Sequence, residues 1–184
     1  VIFIDIKWSS GIQAKTLQGD ALCLMITGDE MDSSEAGEWT EQISRVSQAG
    51  LFGAKLNQIY VLPLEGQPGL PVLILAGRGN GLAGTDELRL IAAQAARAAH
   101  RLNAVRLIIQ VPDNLSKLTA VRPHEAGQAL TEGLILGAYR RTHYKREQPV
   151  YTGLESAVFH LDRQAESAES RDWSHGIRQA QDLG

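Results

Sequence analysis

The sequence predicts an α/β domain, a three-layer α/β/α arrangement around a mixed, largely parallel sheet, and three observations carry that prediction. Short apolar or β-branched runs alternate along the chain with segments of helical periodicity. Residues 70–76 are apolar without a break, the pattern of a strand buried on both faces of a sheet. Within residues 123–145, Ala126, Ala129, Leu130, Gly133, Gly137 and Ala138 recur at steps of three and four, which lays a stripe of small residues along one helix. Gly133 and Gly137 each cost about 1 kcal/mol against Ala in a helix interior, so a sheet or a neighbouring helix is expected to approach the backbone there. Leu134, Ile135 and Leu136 fill adjacent directions and predict cover on more than one side.

Residues 1–8 and 21–27 read as strands, separated by the turn-rich Ser9-Ser10-Gly11 and Gln18-Gly19-Asp20. Asp29, Glu30, Asp32, Glu35, Glu38 and Glu41 follow without a compensating base. A calcium loop needs ligands at alternate positions and a glycine at the sixth, and this segment fails that spacing, so a solvated acidic loop is expected. Residues 39–48 form a short helix with Trp39, Ile43 and Val46 on one face. Residues 50–55 make a turn that buries the Phe52 ring, and residues 58–64 make a strand.

After the strand at 70–76 comes the glycine-rich segment 77–84, then a helix from Thr85 with Leu88, Ile91, Ala92, Ala95, Ala96, Ala99 and Leu102 on one face. Thr85 is the expected N-cap, with Asp86 and Glu87 favoured by the helix dipole in the first turn. Gly79-x-Gly81-x-x-Gly84 satisfies the spacing of a dinucleotide fingerprint. Two features oppose that reading. The fingerprint's helix should be under way by Gly84, and no acid lies about 20 residues on for a ribose hydroxyl, because the next strand, 105–111, reaches Asp113 only after Pro112. Asp86 and Glu87 would also repel a pyrophosphate set against the helix, so the loop is expected to be structural. A strand at 154–161 and a helix at 164–183 complete the chain, the helix carrying Ala165, Ala168, Trp173, Ile177 and Ala180 close to one face.

Composition narrows the function. A length of 184 residues suits a single domain, 1–184, and a net charge of −3 argues against a polyanion-binding module. Arg140, Arg141, His143, Tyr144, Lys145 and Arg146 cluster after the small-residue helix, where cations complement the helix dipole; as a DNA patch they have no matching basic surface elsewhere. The single Cys23 lies in an apolar run and is expected to be a buried, inert thiol. His100, His124, His143, His160 and His175 show no ligand spacing, and no Gly-x-Ser-x-Gly elbow occurs, so no catalytic, cofactor-binding or metal-ligating residue is assigned. No apolar run reaches the roughly 18 residues of a membrane span, and charge at Asp5 and Lys7 breaks the opening run too early for a signal peptide. A cytoplasmic location is expected. The absence of an initiator Met suggests that translation begins upstream.

Glu132-Gly133-Leu134-Ile135-Leu136-Gly137-Ala138-Tyr139, continued by Thr142, Tyr144 and Lys145, resembles the end of the non-catalytic N-terminal domain of the leucyl aminopeptidase family, the cytosol metalloaminopeptidases. Phe52-Gly53-Ala54-Lys55 matches that family's Phe-Gly-x-Lys turn before a strand. The ending Ala180-Gln181-Asp182-Leu183 resembles its Ala-Arg-Asp-Leu, with Gln181 in place of Arg. The resemblance covers most of the chain, most strongly residues 70–183. It implies a macro-domain-like fold and an auxiliary role in assembling a hexameric enzyme that releases N-terminal residues, often leucine, from peptides. The partners it implies are the catalytic domain and the other subunits. The two divalent metals, zinc or manganese, would belong to that catalytic domain, whose Asn-Thr-Asp-Ala-Glu-Gly-Arg segment does not occur here. Two rival readings remain: a macro-like nucleotide or ADP-ribose binder using residues 77–84, and a DNA-binding module using Arg140, Arg141, Lys145 and Arg146.

Overall fold

A computed structural model describes residues 3–31, 34–79, 84–113, 115, 120–139 and 153–183. In chain order these form β1 (Asp5–Ser10), β2 (Ala21–Ile26), α1 (Thr40–Gln48), β3 (Ile59–Pro63) and β4 (Val72–Gly77). There follow α2 (Thr85–Arg101), β5 (Arg106–Gln110), α3 (Pro123–Ala138), β6 (Ser156–Leu161) and α4 (Ser167–Gln181). The strands make one six-stranded sheet in the order β1-β6-β5-β2-β4-β3. All neighbours run parallel except β3, which pairs antiparallel with β4 at the edge. The three-layer α/β/α prediction with a mixed, largely parallel sheet holds.

Alternation along β2 shows how the layers are built. Ala21, Cys23 and Met25 join the core beneath α2, α3 and α4, while Leu22, Leu24 and Ile26 join the core beneath α1, where Trp39, Ile43, Val46 and Phe52 are buried. A central parallel strand has no solvent face, which is why its sequence is apolar throughout.

The small-residue stripe of α3 meets a helix. A Cβ at Gly133 would lie 2.1 Å from the Arg89 carbonyl oxygen, and one at Gly137 would lie 2.4 Å from that of Ala93. These contacts advance together along both chains, so α2 and α3 run parallel with their backbones in contact. Arg89 Nε donates to Glu132 at 2.5 Å, closing the seam with an ion pair. On the other side of α3, a Cβ at Gly176 of α4 would stand 1.9 Å from the His124 carbonyl, and one at Gly127 would stand 2.9 Å from that of Trp173. Trp173 in turn stacks on Trp8 of β1, with centroids 4.6 Å apart. Thus α3 is the middle helix of its layer.

Several sequence expectations shift. The first strand occupies Asp5–Ser10 and not 1–8, because the chain pairs residue for residue with β6 as far as Ser10↔Leu161; the half-buried Ser10 is satisfied there, its Oγ accepting from the Ala165 N–H at 3.3 Å. Gly84, not Thr85, is the N-cap of α2. Leu136 is 66% exposed, since the neighbouring helices cover the glycine side of α3 and not the side that Leu136 shares with Glu132. Ala168 is exposed because it lies about 140° around α4 from Trp173. The helix expected over 123–145 is described as far as Ala138, and residues 140–152 lie outside the described part.

Candidate functional site

Two places were open to chemistry: the glycine-rich junction between β4 and α2, and the end of the sheet where the strands deliver their C-termini. At the junction the backbone donors of the described residues before α2 already have partners. Gly77 N–H donates to the Gln58 carbonyl at 2.8 Å, Arg78 N–H to Ile26 at 2.8 Å and Gly79 N–H to Ala54 at 2.9 Å. Gly77 is required by packing: a Cβ would lie 2.0 Å from the Lys55 carbonyl. Gly79 has φ of 70°, a left-handed conformation suited to glycine. The turn at 50–55 and the glycine segment, separate in sequence, are therefore one joint, organised by Gln58, whose Oε1 accepts from the N–H groups of Gly53 and Lys55 at 2.9 and 3.3 Å. Residues 80–83, with Gly81, lie outside the described part.

At the start of α2 the Gly84 N–H donates to Glu87 Oε2 at 2.6 Å. A carboxylate of the chain itself thus occupies the helix end where a phosphate would bind. Beside it Arg78, buried, donates to Glu30 at 2.5 Å, and the other Glu30 oxygen accepts from Thr27 N–H at 2.9 Å. The acidic segment is therefore not solvated throughout, as the sequence suggested: its missing base arrives from 48 residues away.

The remaining candidates stay apart. Cys23 is fully buried, and burial pushes its thiol up to about 12, far from a nucleophile's range. His160 is buried too; its Nε2 lies 2.7 Å from the Ile12 carbonyl, which can only accept, so the proton sits on that nitrogen, with Asp162 Oδ1 at 3.2 Å. His175 is exposed, His100 and His124 are half-buried, and His143 lies outside the described residues, as do Arg140, Arg141, Tyr144, Lys145 and Arg146. Among the described residues no three His, Cys, Asp or Glu side chains converge as a metal set would.

The sheet end holds a groove of about 500 Å³. From β2 the chain departs toward β4 over the α1 face, whereas from the adjacent β5 it departs toward β6 over the α3 face. Connections diverging from neighbouring parallel strands open a crevice at their carboxyl ends. Leu24, Met25, Ile26 and Trp39 give it apolar walls, and Glu30, Glu38 and Lys15 belong to its lining. Gln13, Gln110, Asp113 and Asp162 add further polar groups to that lining. Asp162 accepts from Ala14 N–H at 3.2 Å and from Gln110 Nε2 at 3.0 Å, which leaves Gln110 Oε1 buried without a partner. Nothing in the sequence marked this groove, because its lining comes from the separate stretches 13–15, 24–39, 110–113 and Asp162, which only the fold brings together.

Residues 28–148 match the domain described as "Cytosol aminopeptidase family, N-terminal domain". The chain belongs to this family. Among solved structures, a mutant of tomato leucine aminopeptidase superposes with a TM-score of 0.67 at 21% identity, over 94% of this chain and 35% of that one. The bottromycin maturation enzyme BotP superposes with a TM-score of 0.59 at 22% identity, over 88% of this chain and 30% of that one; its complex with Mn gives the same score and identity. At these identities the likeness establishes the shared fold. The chain spans about a third of the length of these structures. No curated protein matches the chain.

Proposed function

We propose that this family domain is a non-catalytic partner of a metal-dependent aminopeptidase domain, and that it supports assembly of an oligomeric, cytoplasmic enzyme, a hexamer, that removes N-terminal residues such as leucine from peptides. The observation that carries the reading is the extent of the match: 94% of this chain is accounted for by 35% of a leucine aminopeptidase, so the shared part is the N-terminal domain. Two divalent metals, manganese or zinc, would reside in the catalytic domain; one structural relative is described in complex with Mn. Packing supports a scaffolding role, since α3 is committed on both sides to helix contacts too close for a side chain. No helix among the described residues is long and apolar enough to cross a membrane. The nucleotide-binding alternative loses support from the junction, whose described N–H groups are engaged within the protein.

The test is hydrolysis of a leucyl amide by the purified chain with zinc or manganese. We expect no turnover above buffer, because catalysis of this kind needs an assembled metal site to generate the nucleophile. Turnover that follows the chain through purification and disappears with a chelator would overturn the proposal.

A further inference from the structure

We infer that the groove at the carboxyl ends of β2 and β5 binds a small organic cation, an ammonium carried on an apolar body. Its volume of about 500 Å³ falls in the range of small-molecule sites, and its position is where open parallel sheets place ligands. The inference is independent of the assembly role proposed above.

Charge decides the class of ligand. In the groove Glu38 already meets Lys15 at 3.2 Å and Glu30 already meets Arg78. Asp162 is held by the Ala14 N–H and the Gln110 amide, with the buried His160 Nε2 3.2 Å from its Oδ1. Asp113 is exposed, and the nearby Arg163 directs both terminal nitrogens to Glu169, at 2.7 and 2.8 Å. Among the described residues neither Asp113 nor Asp162 has a Lys or Arg ion pair. An anionic ligand would meet net negative charge. A bare metal ion would find no three converging ligands.

An ammonium group suits what remains. It brings three donors and no acceptor, and the Asp113 and Asp162 carboxylates in the groove's lining are acceptors only. The apolar body then lies along Leu24, Met25, Ile26 and Trp39, the indole being a surface that accepts both hydrocarbon and cation.

The experiment is an NMR titration of the isotope-labelled chain with phenethylammonium, its uncharged N-acetyl analogue, ADP-ribose and Mn²⁺. We expect saturable shifts from phenethylammonium alone, centred on the Gln110 side-chain amide and the Trp39 indole N–H. Asp113→Asn, a substitution at an exposed position, should weaken binding severalfold, and adding Asp162→Asn should weaken it by about tenfold or more. Equal shifts from the uncharged analogue, unchanged affinity in Asp113→Asn, or saturable binding of ADP-ribose or Mn²⁺ in the groove would each overturn the inference. If Asp162→Asn loosens the segment around Ala14, the Asp113→Asn comparison still decides.

Discussion

Substituting Gly133 tests whether the seam between α2 and α3 is rigid. An added Cβ would stand 2.1 Å from the Arg89 carbonyl oxygen, 2.7 Å from its carbon and 2.8 Å from its Cα. All three are backbone atoms inside a helix, so no rotamer change relieves the contact. Restoring ordinary separation requires the helices to part by roughly 1 Å, which opens gaps along a seam packed at interior density. Overpacking of this kind costs about 1 to 3 kcal/mol, while Gly→Ala in a helix interior returns about 1 kcal/mol of propensity. With three backbone atoms inside 3.0 Å the cost falls at the upper end of that range, so Gly133→Ala should destabilise by about 2 kcal/mol net, and Gly133→Leu by about 3 kcal/mol or more. Gly137, whose Cβ would lie 2.4 Å from the Ala93 oxygen, should follow the same order. The assay is urea unfolding followed by circular dichroism, with Gly53→Ala as control, since a Cβ there meets only Gln58 Oε1 at 3.7 Å. If Gly133→Ala were as stable as the parent, the seam would be compliant and the packing argument wrong.

Three further outcomes are expected. Glu30→Ala would strand the Arg78 guanidinium, whose side chain is 3% exposed, and should cost about 3 to 5 kcal/mol in the same unfolding assay; a loss under about 1 kcal/mol would show that Arg78 finds other solvation. The hydrogen bonds from Arg163 hold the Glu169 carboxyl below its usual range of about 4.5, so its contribution is complete above that value and is lost as pH falls through the lower folded-state value. Glu169→Gln should accordingly flatten the decline in stability on the acid side, and an unchanged acid limb would contradict the linkage. Finally, ADP-ribose, NAD and ATP at millimolar concentration should leave the Gly79 and Thr85 amide resonances unmoved; saturable shifts there would restore the nucleotide-binding reading.

Sequence pattern revealed what depends on neighbours along the chain. Period-two and period-3.6 patterns located the elements, and Gly133 and Gly137 announced a close approach because nothing else justifies paired glycines inside a helix. Gly127 and Gly176 escaped notice because Gly127 lies off the Gly133–Gly137 stripe and Gly176 is the one glycine of α4, and the contact that requires each lies on a helix about 50 residues distant. The N-cap was misplaced by one residue because the pattern sought a side-chain acceptor at the cap, whereas the interaction runs from Glu87 back to the Gly84 backbone. Arg78 with Glu30, and Gln110 with Asp162, join residues about 50 positions apart, and only the strand order brings them together.

The fingerprint spacing at Gly79, Gly81 and Gly84 shows why such motifs mislead. A glycine pattern reports that backbone must come close to something, and it does not say to what. Where a dinucleotide-binding unit would present its free N–H groups to a pyrophosphate, this chain presses Gly77 against the turn at 54–55 and directs the N–H groups of 77, 78 and 79 to its own carbonyls. It then sets Glu87 on the first amide of α2, just as Glu125 Oε2 takes the Arg122 N–H at 2.8 Å at the start of α3. Both helix ends that could attract a ligand anion therefore hold an internal one, and Glu125 is kept below the usual carboxylate range by that backbone hydrogen bond. The same geometry that binds phosphate elsewhere serves here to fasten strand to helix, and the crevice it leaves at the sheet end is acidic. A fold suited to anions has in this chain been filled with carboxylates, so any ligand of the crevice must be chosen by the opposite charge.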